Sequence, residues 1–211
     1  MDNVSNFLSN KTETPSGYIA SLQEMISKID VNAIERAVDI LLDAYERGNS
    51  IYIFGNGGSG TTASHMTGDF IKGVSYGLDK KFRMICLNDN YTTLTAFAND
   101  VSYDLVFVEP LKNFLQEGDV VIGLSGSGNS RNVVHALVYA KERNVSIIGF
   151  SGYTGGKVKE LSDVPIHIPI DSMEISEDLH LSVLHMIKNK IITQLHGGLG
   201  RNLGKEYLDR I

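Results

Sequence analysis

Apolar residues recur at different intervals in the two parts of this chain. Before Ser50, the stretches Tyr18–Ile29 and Val31–Gly48 carry them three or four positions apart, which is the period of one helix face and predicts two N-terminal helices. After Ser50, short β-branched runs predict strands over Ile51–Phe54, Phe82–Leu87, Val120–Leu124, Ser146–Phe150 and Val164–Ile168. Helices are predicted between these runs, over Ser59–Lys72, Tyr91–Phe97, Glu109–Leu115, Ser130–Arg143 and Gly156–Leu161.

The alternation of strands and helices predicts an α/β fold in which helices cover both faces of one parallel sheet. In a doubly wound, five-stranded sheet of order 2-1-3-4-5, the first and third strands are neighbours. A long closing helix is predicted over Ile175–Leu195, with apolar residues on more than one of its faces. This pattern is typical of an interface helix, so we expect a homo-oligomer; packing within the chain's own core is the alternative.

The composition fits one globular core, because 42% of the 211 residues are apolar and 21% are charged. We divide the chain into a polar leader at 1–17, a single domain at 18–195 and a C-terminal tail at 196–211. No apolar run approaches the length of about 18 residues that a membrane span needs, and the polar N-terminus does not resemble a signal peptide. These features predict a cytoplasmic protein.

Charge narrows the choice of partner. A formal net charge of −6 and the lack of a Lys/Arg cluster argue against nucleic acid and against an anionic membrane. A phosphorylated small molecule stays compatible, because helix N-termini and hydroxyl groups can meet its charge locally. The single cysteine, Cys86, lies in an apolar run and is predicted to be a small core residue.

Two glycine-rich turns that contain serine each follow a predicted strand and open a predicted helix. They are Gly55–Gly60 and Ser125–Ser130. Glycine lets the backbone approach a phosphate closely, and the helix N-terminus offers unpaired N–H groups, so the pair predicts an anion site. If the strand order is 2-1-3-4-5, the turns flank one crevice.

His65 and Asp69 are four positions apart in a predicted helix, so their Cβ atoms lie about 6 Å apart on one face. Such a pair can share a proton or a metal; a local hydrogen bond is the plainer interpretation. Glu177 and His185 are eight apart, which on one helix separates them by about 12 Å along the axis and about 80° around it. If both residues act at one metal, either Glu177 precedes the regular helix or the site combines residues from two subunits.

Several ordered motifs between Tyr18 and Leu195 resemble the phosphoheptose isomerase family of sugar isomerase (SIS) domains. They are Gly55–Ser59 followed by His65, Ala96–Asp100, Ser125–Ser130, and Glu177–His180 with His185. The resemblance implies a SIS domain and an isomerase that converts sedoheptulose 7-phosphate to D-glycero-D-manno-heptose 7-phosphate, for lipopolysaccharide or capsule. It also implies a homotetramer with active sites between subunits.

The same resemblance implies roles for single residues. We expect Asp69 and His185 to be the catalytic acid–base pair that acts through an enediol. Zinc, one ion per subunit, is the implied cofactor, with ligands His65, Asp69, Glu177 and His185. Substrate contacts are expected from Asn56, Gly57, Gly58, Ser59, Asp69, Asn99, Asp100, Ser125, Gly126, Ser127, Ser130 and Glu177. Among them, Ser125, Ser127 and Ser130 are the expected phosphate cradle.

Three positions depart from the family's pattern: Asp69 replaces a glutamate, Glu177 a frequent glutamine and Gly126 a frequent threonine. These departures are compatible with a phosphosugar substrate but leave the identity of the sugar open. An isomerase of another sugar phosphate is therefore one alternative. The other is a non-catalytic SIS module that serves as a phosphosugar sensor or an adaptor. Such modules can lose the acid–base groups, which this chain retains.

Overall fold

A parallel five-stranded sheet forms the centre of the computed structural model, which describes residues 14–197. The strands are β1 (Ser50–Gly55), β2 (Arg83–Cys86), β3 (Val120–Ser125), β4 (Ser146–Ser151) and β5 (Val164–His167). Their order is β2-β1-β3-β4-β5, and each neighbouring pair is parallel. The predicted order is therefore confirmed, and each predicted strand end differs by one residue at most.

Eight α-helices lie in the described part of the chain. They are α1 (Pro15–Ile26), α2 (Val31–Arg47), α3 (Gly57–Gly68), α4 (Tyr91–Asp100), α5 (Val108–Phe114), α6 (Arg131–Glu142), α7 (Gly156–Leu161) and α8 (Met173–His196). No helix within 14–197 has the length and apolarity that crossing a bilayer requires. Residues 1–13 of the predicted leader and 198–211 of the predicted tail lie outside the described residues.

Capping residues set the start of α1 earlier than the apolar spacing predicted. The helix begins at Pro15, within the predicted leader, and not at Tyr18. The Thr14 hydroxyl accepts a hydrogen bond from the Gly17 amide at 3.1 Å. Proline suits the first helical position because an N–H there would have no partner within the helix. The helix ends at Ile26, three residues before the predicted end.

Helices cover both faces of the sheet, as the alternating pattern predicted. In β1, Ile51 and Ile53 pack with α2, α3 and α8, whereas Tyr52 and Phe54 pack with α5, α6 and α7. Cys86 is buried in the first of these cores, as predicted, and burial raises the pKa of its thiol to about 11. Because β1 and β3 are buried along their whole length, the loops at their carboxyl ends are where a ligand can approach them.

The helix predicted over Ser59–Lys72 changes type partway along. The α-helical part, α3, ends at Gly68, and a π-helical segment continues over Asp69–Val74. A π turn takes in an extra residue and is often found at functional sites. Its effect here is to start a new backbone register at Asp69.

The closing helix α8 is longer than predicted and contains Glu177 within its regular part. The interpretation that Glu177 precedes the helix is therefore wrong. The Ser172 hydroxyl caps the helix by accepting a hydrogen bond from the Ile175 amide. Much of the apolar surface of α8 packs in the chain's own core, while Met186 is 42% exposed. The predicted interface role of α8 stays a prediction.

Candidate active site

The two glycine-rich turns lie side by side at the carboxyl ends of β1 and β3. Gly55 pairs with Leu124 in the sheet, so the turns after these strands flank one crevice of about 230 Å³. Its lining residues are Asn56, Gly57, Gly58, Ser59, Leu124, Ser125, Gly126, Ser127, Ser130, Met173 and Glu177. The structure thus brings together most of the residues predicted to contact substrate.

Asn56 connects the first turn to α6. Its Nδ2 donates to Asn132 Oδ1 at 2.8 Å, and its Oδ1 accepts from Asn132 Nδ2 at 2.9 Å. Tyr103 Oη also donates to Asn56 Oδ1, at 2.9 Å. Sequence reasoning missed Asn132 and Tyr103, because no spacing along the chain relates either residue to this turn. Since the Asn56 amide already has these partners, the backbone of the turn is the part most available to a ligand.

Glu177 reaches from α8 to the start of α3. A Cβ atom on Gly58 would overlap the Glu177 carboxylate, so glycine is required for this close approach. Burial raises the pKa of the Glu177 carboxyl above its usual range, and the nearby charges of Glu174 and Asp178 add to the rise. The backbone amide of Ser59 acts in the opposite direction. Glu177 therefore belongs to the wall of the crevice.

Serine hydroxyls converge in the second turn. Ser125 Oγ donates to Ser130 Oγ at 3.0 Å and lies 3.4 Å from Ser127 Oγ. The Asn129 amide donates to Ser127 Oγ at 3.2 Å, which forms a local turn. Ser130 is the first residue before α6, but its side chain caps no backbone amide of the helix. The hydroxyls of this turn are therefore a polar group at the crevice.

Gly126 leaves room for a neighbour from α8. A Cβ atom at this position would overlap the sulfur of Met173. A threonine, frequent in the resembled family, would need Met173 to move. The departure at Gly126 is thus matched by a bulky side chain that covers the second turn.

A second polar cluster lies further along α8. Asp69 Oδ2 is 3.6 Å from the Nε2 atoms of both His65 and His185, and these two nitrogens are 3.3 Å apart. Three of the four predicted metal ligands are therefore together in one chain. Glu177 is not among them, because it precedes His185 by eight residues in a continuous helix, or about 12 Å along the axis.

Lys188 is a further member of this cluster that sequence reasoning missed. Its Nζ donates to Asp69 Oδ2 at 2.7 Å. Lys188 stands three residues after His185, and this spacing on one helix face was the available signal. Burial lowers the pKa of His185, and the Lys188 ammonium lowers it further, against the effect of Asp69. The lowered pKa favours the neutral imidazole, which can accept a proton.

The donor set of this cluster fits a zinc ion. Candidate ligand atoms of His65, Asp69 and His185 all lie within 4.8 Å of one another. Two imidazole nitrogens and one carboxylate oxygen are the protein ligands of a common catalytic zinc arrangement, in which the fourth position stays open. A metal here would share Asp69 with the Lys188 ammonium.

Asn99 and Asp100 do not line the crevice. Both are exposed at the end of α4, where Asn99 Nδ2 donates to Asp100 Oδ1 at 2.7 Å. Both belong to the last turn of α4, which runs three residues beyond its predicted end at Phe97. Their contact with sugar hydroxyls stays a prediction.

The remaining described histidines have structural surroundings. His135, His167 and His196 each pair with a backbone carbonyl oxygen. His180 is only 1% exposed, and its ring packs edge-on against Phe150 with the ring centres 5.5 Å apart. Its position in the core separates it from the cluster around His185.

Comparisons with known proteins agree on one family. A family model described as SIS domain matches residues 17–152. The chain is 36% identical to a probable phosphoheptose isomerase of Thermoplasma acidophilum over 163 residues, or 75% of this chain and 87% of that protein. It is 33% identical to the phosphoheptose isomerase of Synechocystis sp. over 177 residues, or 84% and 91%. The solved phosphoheptose isomerase of Neisseria gonorrhoeae matches with a TM-score of 0.75 and 27% identity, over 90% of this chain and 97% of that chain.

Proposed function

Because this chain belongs to the SIS-domain family and, within it, to the phosphoheptose isomerases, we propose that it is an aldose–ketose isomerase of a heptose phosphate. The proposed reaction converts sedoheptulose 7-phosphate to D-glycero-D-manno-heptose 7-phosphate. The observation that carries the proposal is the union of both glycine-rich turns in one crevice. The acid–base cluster supports it, because its member His185 lies on α8, the helix that also carries Glu177 of the crevice.

The crevice supplies the contacts that a phosphate group needs. The Ser125 hydroxyl lies within hydrogen-bonding range of the hydroxyls of Ser127 and Ser130, so an anion can replace these bonds with bonds to its own oxygens. The start of α3 at Gly57 adds backbone N–H groups and a helix dipole. We therefore place the phosphate in the crevice, with Glu177 available to a sugar hydroxyl.

The isomerisation moves one proton between neighbouring carbons through an enediol. We assign this transfer to Asp69 and His185, which between them remove the proton beside the carbonyl and return one to the adjacent carbon. The lowered pKa of His185 favours its neutral form, which can accept the proton. His65, Asp69 and His185 would hold a zinc ion, which would supply polarisation of the carbonyl and hydroxyl oxygens. The proton transfer assigned to His185 belongs to the state in which its Nε2 is not a metal ligand.

A homotetramer with active sites between subunits is part of the proposal. Within one chain, Glu177 and His185 lie about 12 Å apart along the axis of α8. Both can therefore act on the same atoms of the substrate only if they come from different subunits. Asn99 and Asp100 are exposed on α4 and are therefore available to the site of a neighbour. A cytoplasmic location, and a role in supplying heptose for lipopolysaccharide or capsule, complete the proposal by resemblance to the family.

The direct test follows sedoheptulose 7-phosphate by NMR, with purified full-length protein and with or without added zinc. We expect an aldoheptose phosphate to form, and Asp69→Asn and His185→Ala to lower kcat by at least a hundredfold, because each removes one proton-transfer group. His135→Ala is the matched control, since this exposed histidine lies on α6 and pairs with a backbone carbonyl.

Two results would contradict the proposal. If the substrate binds but no product forms at any zinc concentration, the chain is a phosphosugar sensor or acts on another sugar phosphate. If product forms at an undiminished rate in both variants, the catalytic assignment is wrong although the reaction is right.

A further inference from the structure

Lys188 places a positive charge inside the His65–Asp69–His185 cluster. Its ammonium and the two imidazoles surround the same carboxylate oxygen, Asp69 Oδ2. The lysine contact, at 2.7 Å, is the shortest of the three, whereas each imidazole nitrogen is 3.6 Å away. The atom that a metal would use as its carboxylate ligand is therefore already bonded to a cation.

This lysine differs from the surface lysine that follows it on the same helix. The Lys188 side chain is 19% exposed, while Lys190 is 44% exposed and pairs with Glu35 at 3.1 Å. A partly buried, charge-assisted hydrogen bond is stronger than an exposed ion pair, which contributes little. Lys188 therefore holds Asp69 more firmly than Lys190 holds Glu35.

The surrounding backbone fixes the partners in place. Asp69 is the first residue of the π-helical segment, which is joined to α8 at its other end by a hydrogen bond between His196 Nε2 and the Val74 carbonyl at 2.8 Å. Contacts at both ends keep the segment aligned with α8. The hydrogen bond between Lys188 and Asp69 thus joins two backbone segments that are also held together at the far end of the π-helical segment.

We propose that the Lys188 ammonium is a built-in counter-ion that competes with a divalent cation for Asp69 and sets the metal affinity of the cluster. A metal that takes Asp69 Oδ2 must displace the ammonium, and the two positive charges then repel each other at short range. The inference rests on the proposed function in assigning a metal to this cluster. It makes Lys188 a positioning residue that holds the carboxylate when no metal is present.

Metal affinity without sugar tests this inference. Full-length protein is stripped with a chelator and titrated with zinc in competition with a chromophoric chelator. We expect Lys188→Met to bind zinc at least tenfold more tightly than the unmodified protein, because methionine keeps the apolar stem and removes the charge. Lys190→Met, which removes a charge two residues away, should change the affinity by less than twofold.

A double variant shows where the gain arises. Lys188→Met should no longer tighten zinc binding in the Asp69→Asn protein, because the contested carboxylate is then gone. Circular dichroism should show that all variants keep their helices. Cobalt offers a second readout, since its visible spectrum reports the ligand geometry. We expect Lys188→Met to develop the cobalt spectrum at lower cobalt concentration than the unmodified protein.

The inference is overturned if Lys188→Met binds zinc no more tightly than the unmodified protein, or if neither binds it. It is also overturned if the gain survives the Asp69→Asn substitution, because the proposed competition is for the Asp69 carboxylate. Failure of the proposed isomerase reaction is seen separately, because the titration contains no sugar. Tighter zinc binding by Lys188→Met in a protein that does not turn over sedoheptulose 7-phosphate would support the inference and refute the function.

Discussion

At the scale of single residues, the shape of the crevice depends on the absence of a side chain at Gly58. Any side chain larger than hydrogen would meet the Glu177 carboxylate at the start of α3. Glu177 is the end of a flexible side chain, so it can move aside while the backbone stays. The position therefore affects ligand contacts more than it affects folding.

Gly58→Ala should lower kcat/KM for the proposed substrate by at least tenfold and leave the thermal midpoint nearly unchanged. The added methyl group displaces Glu177 and narrows the approach to the first turn. Steady-state kinetics and a melting curve on the same sample measure both effects. Gly73→Ala is the matched control, because a Cβ atom there meets nothing within 4 Å; equal losses in both variants would contradict the prediction.

At the scale of elements, the sheet could be predicted because its signals are local. Runs such as Val120–Leu124 are apolar and β-branched, and the glycine-rich turns mark where strands end and helices begin. The change to a π-helical segment at Asp69 could not be predicted, because the spacing of residues between Ser59 and Lys72 fits an ordinary α-helix. The structure shows this segment in contact with α8 through Asp69 and Val74.

The candidate site was predictable to the extent that its residues fall in motifs. His65 and Asp69 share a helix face, so their spacing alone brought them together. Asn132 lies far along the chain from Asn56, and only the folded structure shows that their amides meet. For Glu177 and His185, the spacing gave their separation on one helix, but only the structure shows that α8 is continuous through both residues.

Helix α8 contains a buried imidazole that makes its packing depend on pH. Burial lowers the pKa of His180 to about 4, against a smaller opposite effect of the Ser151 backbone. The unfolded chain, with an ordinary histidine pKa near 6.5, binds more protons than the folded chain between these values. The contribution of the neutral, buried His180 to stability is therefore fully present above about pH 6.5 and is lost as the pH falls toward 4.

Because His180 takes up a proton when the chain unfolds, lowering the pH from 7 to 5 should decrease the free energy of unfolding by roughly 2 kcal/mol. Urea unfolding at the two pH values measures this loss, and His180→Met should reduce it, whatever the substitution does to stability at pH 7. The control is His135→Ala, an exposed position on α6 that should keep the full pH dependence. An unchanged dependence in His180→Met would show that another group is responsible.

At the scale of the whole molecule, the separation of crevice and cluster along α8 allows a direct test of shared active sites. Light scattering first gives the oligomeric state, which we expect to be a tetramer. Two variants are then combined: Ser125→Ala with Ser127→Ala in one chain, and His185→Ala in the other. Each alone should be nearly inactive, because one lacks the phosphate cradle and the other an acid–base group.

Co-expression of these chains with different tags yields mixed oligomers. If a crevice works with the cluster of a neighbouring chain, some sites in the mixture contain both parts intact, and activity should rise well above that of either variant. Mixtures assembled from each variant with itself are the control. Activity no greater than the sum of the two variants would show that each chain completes its own site.

The paired side-chain amides of Asn56 and Asn132 affect how much of the binding free energy is lost in ordering the crevice. They join the first glycine-rich turn to the helix that follows the second, so the two halves of the crevice move as one body. A clamp assembled before its ligand arrives loses little conformational entropy when it closes on that ligand. Most of the attraction between the protein and a phosphate is then left to hold the sugar in its reactive pose.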